Sequence, residues 1–424
     1  MKIAVIGTGI SGNVAARHLD RDHEVTVFEA NDYVGGHTHT HDVEWAGRHY
    51  PVDTGFIVFN EKTYPNFISL LDELGVEARP TTMSFSVRDE RSGLEYNGHS
   101  LNTLFAQRAN LLKPAFLGMI RDILRFNREA PLALAADAPD MGLGEYLAQG
   151  GYGRMFIDHY IVPMGAAIWS TDPARMQAFP ARFFIRFFQN HGLLDIRDRP
   201  KWYVIRGGSR EYVRPLIYPF RHRVRLNSPV ESVRRLPTHV EIKVRHRPAE
   251  RFDAVFIASH SDQALAMLSD ASPLERQVLG AIRYQENEAV LHTDTSLLPR
   301  RQRAWAAWNY HMLAEPGERV PVTYNMNILQ GLDAPVQFCV TLNNSKAVDP
   351  RRVIDRMTYD HPVYTPESVA AQQRQHEING ANRTYFCGAY WRNGFHEDGV
   401  VSALNALEHF EEVRNEELYL RRAG

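Results

Sequence analysis

The stretch that decides the fold lies at the start of the chain and reads Ile3-Ala4-Val5-Ile6-Gly7-Thr8-Gly9-Ile10-Ser11-Gly12. Its four apolar residues predict a buried strand, and the glycines after them predict a tight turn whose backbone N–H groups can approach a diphosphate. We expect a helix to begin near Ser11 and to direct the positive end of its dipole at the same phosphates. The stretch therefore predicts the first half of a phosphate-binding unit.

A second strand and an acidic residue complete this pattern. Glu24-Val25-Thr26-Val27-Phe28 predicts a strand that leads into Glu29, at the distance where dinucleotide-binding units place the acid that holds an adenosine ribose. A Gly-x-Gly-x-x-Gly motif alone is weak evidence, but strand, turn, helix, strand and acid together favour dinucleotide binding over a plain βαβ turn. We assign to the dinucleotide Gly7, Gly9, Ile10, Ser11, Gly12, Glu29 and Ala30.

Composition narrows the function classes. A chain of 424 residues exceeds the usual single core, so we expect two intertwined domains. Its 44% hydrophobic and 23% charged residues are typical of a globular protein, and a net charge of −2 gives no general attraction to nucleic acid. Two cysteines, Cys339 and Cys387, are too few for a disulfide scaffold and favour a reduced, cytoplasmic setting. We find no pattern of a signal peptide or a membrane span.

The residues after the acid identify the dinucleotide through a resemblance. Val34-Gly35-Gly36-His37-Thr38-His39-Thr40 resembles the extended signature of FAD proteins in the flavin amine oxidase, protoporphyrinogen oxidase and phytoene desaturase superfamily. The resemblance implies FAD as the cofactor, with Gly35, Gly36, His37 and Thr38 among its contacts. His37 stands where many members carry Arg, and a neutral imidazole would neutralise diphosphate charge less well.

Two further segments resemble cofactor contacts of the same superfamily. Asp53-Thr54-Gly55-Phe56 resembles the stretch beside the flavin ring, which implies Gly55 and Phe56 as contacts. Val230 matches the position whose backbone meets adenine. These residues stay assignments by resemblance.

The segment 384–403 resembles the last flavin-binding signature, a strand that ends in glycine and a helix that follows. This implies that the helix N-terminus points at the N1–C2=O side of the flavin. It also departs from the pattern, because Ala389 replaces a common acidic residue and no cysteine lies directly before the helix for covalent attachment to the ring. We therefore expect FAD to be bound without a covalent bond. The implied contacts are Gly388, Glu397, Asp398, Gly399 and Val400.

His396 is the candidate catalytic residue, because it stands where amine oxidases place an aromatic residue against the flavin. A histidine there could transfer a proton or orient a substrate. It could equally hydrogen-bond the cofactor without taking part in the chemistry, and both interpretations stay open. The alternating His37, His39 and His41 suggest a metal site, but no further ligand completes a set, so we predict no metal.

The resemblance implies an α/β fold in which a Rossmann-like FAD-binding domain of the glutathione reductase type, amine oxidase-like, is interleaved with an α+β substrate domain. We place the FAD-binding domain at 1–62, 201–284 and 376–424. The substrate domain occupies 63–200, which is mainly helical, and 285–375, whose strands we expect to roof the flavin.

Three apolar patterns in the substrate domain each allow two interpretations. The segment 105–128 combines apolar with basic residues, which suits either a membrane surface or a packed helix with a solvated face. Phe184, Phe187 and Phe188 share a helical face that belongs to the core or to an apolar ligand channel. The candidate cavity residues, which a core strand would also explain, are Trp305, Trp308, Tyr310, Tyr324 and Asn325.

Taken as a whole, the chain is similar to a bacterial group of predicted NAD/FAD-binding proteins associated with modification of fatty acyl chains. This implies dehydrogenation of an acyl chain, or another long apolar substrate, by hydride transfer to flavin N5. The alternatives are an amine or amino-acid oxidase, a redox-neutral acyl double-bond isomerase, and a non-catalytic FAD-bound partner protein. We expect an apolar or lipid substrate, no nucleic acid partner and an electron acceptor that the sequence does not identify. Peripheral contact with the inner membrane face stays open.

Overall fold

The computed structural model describes residues 1–135, 141–196, 199–315, 319 and 321–423. Two large sheets organise them, one of five strands and one of seven, and helices cover both. Smaller sheets of two and three strands lie around them. The strands are β1 (Lys2–Ile6), β2 (Glu24–Phe28), β3 (Thr40–Trp45), β4 (Arg48–Asp53), β5 (Val58–Asn60), β6 (Ala78–Thr81), β7 (Phe85–Asp89), β8 (Glu95–Asn97), β9 (Trp202–Ile205), β10 (Val224–Arg225), β11 (Val230–Arg235), β12 (Val240–Val244), β13 (Glu250–Phe252), β14 (Ala254–Ile257), β15 (Arg283–His292), β16 (Trp308–Met312), β17 (Val322–Asn325), β18 (Cys339–Leu342), β19 (Val353–Val363) and β20 (Thr384–Phe386).

The helices fall into a group that packs on the five-stranded sheet and a group that forms the helical part of the substrate side. Short 3-10 and π segments connect several of them. The α-helices are α1 (Ile10–Leu19), α2 (Pro65–Leu74), α3 (Leu101–Leu104), α4 (Pro114–Ala135), α5 (Leu143–Gln149), α6 (Arg154–Phe156), α7 (Val162–Trp169), α8 (Ala181–Asn190), α9 (Arg210–Ile217), α10 (Ser261–Met267), α11 (Pro273–Gly280), α12 (Met326–Leu329), α13 (Pro366–Gln372), α14 (Gln375–Ile378) and α15 (His396–Ala423).

The five-stranded sheet is parallel and has the order β10-β2-β1-β14-β20. Residues Ile3, Ala4 and Val5 of the central strand are fully buried, because α1 and α15 cover one face of the sheet and the β11-β12-β13 sheet covers the other. Burial on both faces explains why this strand reads as an unbroken apolar run. The predicted strand, turn, helix and strand at the start of the chain are confirmed.

The seven-stranded sheet is mixed and has the order β19-β15-β18-β17-β16-β7-β8. Its strands β7 and β8 lie in 63–200, the first predicted segment of the substrate domain. Its other five strands lie mostly in 285–375, the second predicted segment. Its strands from 283–363 lie over the cleft that borders the parallel sheet. The predicted α/β class is thus confirmed, whereas the exact domain boundaries stay a prediction.

Local sequence signals account for several smaller elements. A hairpin turns at Ala46 and Gly47 between β3 and β4, and α2 ends at Gly75. Pro114 divides the 105–128 segment, since a 3-10 turn at Arg108–Leu112 precedes it and α4 begins with it. In the described part of the chain, no helix is both long enough and apolar enough to cross a bilayer.

Candidate functional site

A cleft of about 560 Å³ lies along the carboxyl ends of the parallel strands. Residues that follow β1, β2, β14 and β20 form one wall, and side chains from β15 to β19 form the opposite wall. In open α/β sheets, ligands bind outside the carboxyl ends of the strands. This cleft is therefore the candidate site.

Glycine backbones bring the phosphate-binding turn close together. A Cβ atom at Gly12 would lie 2.0 Å from the carbonyl oxygen of Gly7, so no larger residue fits there. A Cβ at Gly36 would lie 3.1 Å from the Cα of Gly9, which means that the two predicted glycine turns touch. The cleft wall is consequently bare main chain at this point, as a diphosphate requires.

Glu29 is held in one orientation at the same end of the cleft. One carboxylate oxygen accepts hydrogen bonds from the backbone N–H of Thr8, at 2.9 Å, and from its hydroxyl. The other oxygen accepts from the N–H of Asn31 at 2.9 Å, and the carbonyl of Glu29 accepts from the N–H of Ser228 at 2.7 Å. The acid is thus fixed between three segments and borders the cleft, where it can meet a ribose.

The N-termini of α1 and α15 lie side by side at the cleft. The Ser11 hydroxyl donates to the carbonyl of Gly399 at 2.9 Å. A Cβ atom at Gly399 would lie only 2.6 Å from Cγ2 of Ile10, so glycine is what permits this approach. Both helix dipoles therefore add positive potential to one region.

His396 begins α15 and is almost fully buried. Its Nε2 lies 2.9 Å from the Tyr212 hydroxyl and 3.0 Å from the Thr38 hydroxyl, and its ring stacks on Phe56 with centroids 3.5 Å apart. Burial lowers the pKa of His396 well below its ordinary value, so the imidazole is neutral. A neutral Nε2 shared by two hydroxyls fits the interpretation in which His396 holds the site together.

The two acids after His396 direct their carboxylates away from the cleft. Glu397 accepts from the backbone N–H groups of Asn66 and Phe67, at 3.1 and 2.8 Å, and so caps the N-terminus of α2. Asp398 accepts from the N–H of Phe395 at 2.9 Å, and burial raises its pKa to about 7. Their side chains do not line the cleft, which leaves only their main chain for cofactor contact.

The predicted site residues divide into those that line the cleft and those that do not. The lining residues are Gly9, Ile10, Ser11, Glu29, Gly35, Gly36, His37, Gly55, Phe56, Gly388 and His396. The residues outside the lining are Gly7, Gly12, Ala30, Thr38, Val230, Glu397, Asp398, Gly399 and Val400. Of these, Thr38 pairs with His396, whereas Ala30 is exposed to solvent.

Sequence reasoning missed a group of aromatic rings in the cleft around His37. The ring of His37 lies 6.1 Å from that of His260 and 5.7 Å from that of His361, and Tyr284 stacks on His260 at 4.4 Å. Burial lowers the pKa values of His37 and His260 to about 4, and that of His361 to about 3. The histidines are therefore neutral. His260 follows β14 and His361 lies within β19, and no motif or spacing in the sequence indicates that they meet His37.

A second set of cleft residues is apolar. Of the candidate cavity residues, Trp308 and Tyr324 line the cleft, and their rings meet edge to face at 5.1 Å. Trp305, Tyr310 and Asn325 do not line it. We call the following set the apolar wall: Ile57, Val58, Ile168, Trp169, Trp308, Tyr324, Leu329 and Leu342.

The cleft suits a dinucleotide that carries a large aromatic ring system. One part of the cleft contains the glycine turns, Glu29 and the N-termini of α1 and α15, and another part contains the apolar wall. Several buried polar atoms of its lining have no hydrogen-bond partner within the described residues, which is what a cofactor with many donors and acceptors would supply. They are Nδ1 of His260, Nε1 of Trp169 and Trp308, and the hydroxyls of Tyr364 and Tyr390.

Comparison with solved structures shows that known proteins share this fold. A CLA-producing fatty acid isomerase from P. acnes matches with a TM-score of 0.68 and 16% identity, covering 96% of this chain and 98% of that one. Cyclohexylamine oxidase from Brevibacterium oxydans matches with a TM-score of 0.67 and 17% identity, covering 97% and 99%. At such low identity the likeness shows the fold alone.

Sequence comparison identifies the family. Over 252 residues the chain is 29% identical to the protein named flavin-containing monoamine oxidase AofH in Mycobacterium tuberculosis. That match covers 56% of this chain and 51% of the relative, so the chain spans about half the length of the curated relatives that it matches. The family model described as flavin containing amine oxidoreductase matches residues 10–299. The chain therefore belongs to the family of flavin-containing amine oxidoreductases, and FAD is its cofactor.

Proposed function

We propose that this protein is an FAD-dependent oxidoreductase that dehydrogenates a fatty acyl chain or a similar long apolar substrate. The observation that carries the proposal is the apolar wall, which gathers eight aromatic and aliphatic side chains from separate parts of the chain in one cleft. An unpaired charge is costly to bury, so a neutral chain suits this wall better than an ionised group. When bound, FAD supplies the hydride acceptor at N5, and the wall positions the substrate carbon and excludes water.

In the proposed site, the chain holds the cofactor through its two ends. Glu29 would hold the adenosine ribose, and the turns at Gly9 and Gly36 with the N-termini of α1 and α15 would hold the diphosphate and the ring. Phe56 and His396 form a stacked pair in the lining of the same cleft. Because His396 is neutral and shared by two hydroxyls, we assign it the role of a positioning residue.

Amine oxidation is the second candidate. The relatives in Mycobacterium tuberculosis carry the name of a monoamine oxidase, and the ring pair Trp308 and Tyr324 could hold an ammonium group through cation–π attraction. A redox-neutral isomerisation is a third, supported by the shared fold of the fatty acid isomerase.

Anaerobic mixing of the FAD-loaded protein with an oleoyl phospholipid, free oleate or benzylamine separates these reactions. Dehydrogenation predicts loss of the oxidised-flavin absorbance with an acyl substrate, and a product lighter by two hydrogens in mass spectrometry. Bleaching with the amine alone would assign amine oxidation instead. An altered acyl double bond without bleaching would assign isomerisation, and no response to any of them would favour a non-catalytic partner.

Removing one aromatic side chain of the apolar wall tests where the substrate binds. We expect Trp308→Ala to raise the KM for the acyl substrate by about tenfold, since an aromatic side chain contributes more than 1 kcal/mol of burial. Trp305→Ala is the matched control, because Trp305 lies three positions away but does not line the cleft. Equal KM values in the two variants would contradict the proposed substrate site.

Removing the fixed acid tests the ribose contact. We expect Glu29→Ala to weaken FAD binding by about tenfold or more, because charge-assisted hydrogen bonds each contribute roughly 1.5 to 3 kcal/mol. Glu24→Ala, on an exposed position of the same strand, is the control and should bind FAD as the wild type does. Titration of the flavin-free protein with FAD measures both. An unchanged Kd for FAD in Glu29→Ala would contradict the assignment of Glu29 to the ribose.

Substitution of His396 separates positioning from proton transfer. We expect His396→Ala to lower turnover more than FAD content, and Tyr212→Phe to lower it in the same direction, because both break the hydroxyl pair at Nε2. The wild-type rate of flavin reduction should not change with pH between about pH 6 and 8 through titration of His396, since the lowered pKa keeps this ring neutral there. A pH-dependent change in that rate which disappears in His396→Ala would show that His396 transfers a proton. Full turnover in the variant would exclude both positioning and proton transfer by His396.

A further inference from the structure

The outer face of α4 carries an unusual row of side chains. Leu117, Arg121, Leu124, Arg128 and Leu132 follow one another at intervals of three or four residues, so they share one side of the helix. All five are exposed: Leu132 shows 69% of its surface to solvent, and the Arg121 side chain shows 81%. Leucine and arginine therefore alternate along the whole exposed side.

The segments before α4 carry further exposed leucines. Leu112 and Leu101 are 87% and 76% exposed, which leaves most of each side chain without any protein contact. The exposed Arg108 and Lys113 lie beside them in the chain. We call these residues, together with Leu111 and the row on α4, the leucine–arginine surface.

The exposed leucines are not needed to pack α4 onto the protein. The opposite side of the helix already presents Phe116, Met119 and Phe126, which are buried in the same hydrophobic cluster as Trp169 of the cleft. Exposed apolar side chains gathered on one side of a helix mark a site of interaction. The helix thus has one apolar side for the core and a second one that faces out.

The charge of this region favours an anionic partner. Five basic and two acidic residues occur between 101 and 134, in a chain whose net charge is −2. Of the two acids, Asp122 is buried, accepts from the N–H of Gly153 at 2.9 Å and lies 3.7 Å from Arg121 and 3.8 Å from Arg125. Glu129 is paired with Arg128 at 2.9 Å, and the basic residues still exceed the acids by three. The long stems of the arginines allow their charged ends to stay in a polar layer while the leucines reach deeper.

A second copy of the chain fits this surface poorly. If two α4 helices paired about a twofold axis at Leu124, Arg121 of each would lie opposite Arg128 of the other, and like charges would face each other twice. A layer of lipid phosphates accepts Arg121 and Arg128 without such repulsion.

We propose that the leucine–arginine surface binds an anionic lipid bilayer. The leucines enter the boundary between headgroups and acyl chains, and the basic side chains contact the phosphates, as in amphipathic helices that lie in the membrane interface. This binding does not depend on which reaction the cleft performs. It places α4, and the core behind it that reaches the cleft, against the membrane.

Cosedimentation of the FAD-loaded full chain with vesicles tests the proposal. We expect binding to vesicles of phosphatidylcholine mixed with phosphatidylglycerol, and at least about tenfold weaker binding to phosphatidylcholine alone. Replacing both Arg121→Gln and Arg128→Gln should lower the partition constant by about 25-fold, the factor expected for two basic residues at an anionic surface. Replacing Leu117→Gln and Leu124→Gln should lower it by about tenfold or more.

Two control pairs have the same chemistry on other elements. Leu226→Gln with Ile354→Gln removes two exposed apolar side chains, and Arg245→Gln with Arg251→Gln removes two exposed cations. Both should bind vesicles as the wild type does. No binding to the mixed vesicles, or equal losses in surface and control variants, would overturn the proposal. A dimer in size-exclusion chromatography that Leu117→Gln with Leu124→Gln abolishes would also overturn it, because the surface would then join two copies.

Discussion

The close approach of the N-termini of α1 and α15 is the contact on which the rest of the structure depends. It exists because Gly399 has no side chain where Ile10 and Ser11 pass, and the bond from Ser11 to Gly399 joins residues 388 positions apart. The contact sets the first and last segments of the chain beside one cleft. The parallel sheet, Glu29 and the glycine turns then face the same space as the start of the last helix.

A diphosphate bound in this cleft would be balanced by dipoles and not by side-chain cations. No lysine or arginine lies among the described residues of its lining, and burial keeps its histidines neutral. Two helix N-termini and bare N–H groups are what remains to balance the charge. A lining without cations also keeps the apolar wall free of positively charged groups that would draw in water, which suits an apolar substrate better than an ion.

Features that depend on neighbouring residues could be predicted from the sequence, and features that depend on distant ones could not. The strand, turn and helix at 3–19, the acid at 29 and the hairpin turn at 46–47 each follow from local spacing. The cap that Glu397 places on α2 joins residues more than 300 positions apart, and the pair of Tyr212 with His396 spans 184. Sequence periodicity does not predict contacts between residues so far apart. The sequence analysis therefore assigns Glu397 and Asp398 to the cofactor, whereas their carboxylates accept hydrogen bonds from backbone N–H groups of the protein.

The segment 105–128 shows the same limit in a helix. Its apolar residues occur on two sides of α4, and only packing distinguishes Phe116, which is buried, from Leu117, which is not. A sequence pattern can predict that a helix is amphipathic, but the choice of the buried side is made by the elements that pack on it. The sequence therefore shows which leucines the segment contains, but it does not show that some of them form an exposed surface.

The most direct test of the account is the FAD affinity of Gly399→Ala, with circular dichroism to show that the protein is folded. If the approach of the two helices forms the cofactor site, the added methyl group separates them, and FAD binding weakens by about tenfold or more while the fold is kept. Gly118→Ala, in α4 where a Cβ meets nothing within 4 Å, should leave FAD affinity unchanged. A folded Gly399→Ala protein that binds FAD as tightly as the wild type would contradict the account.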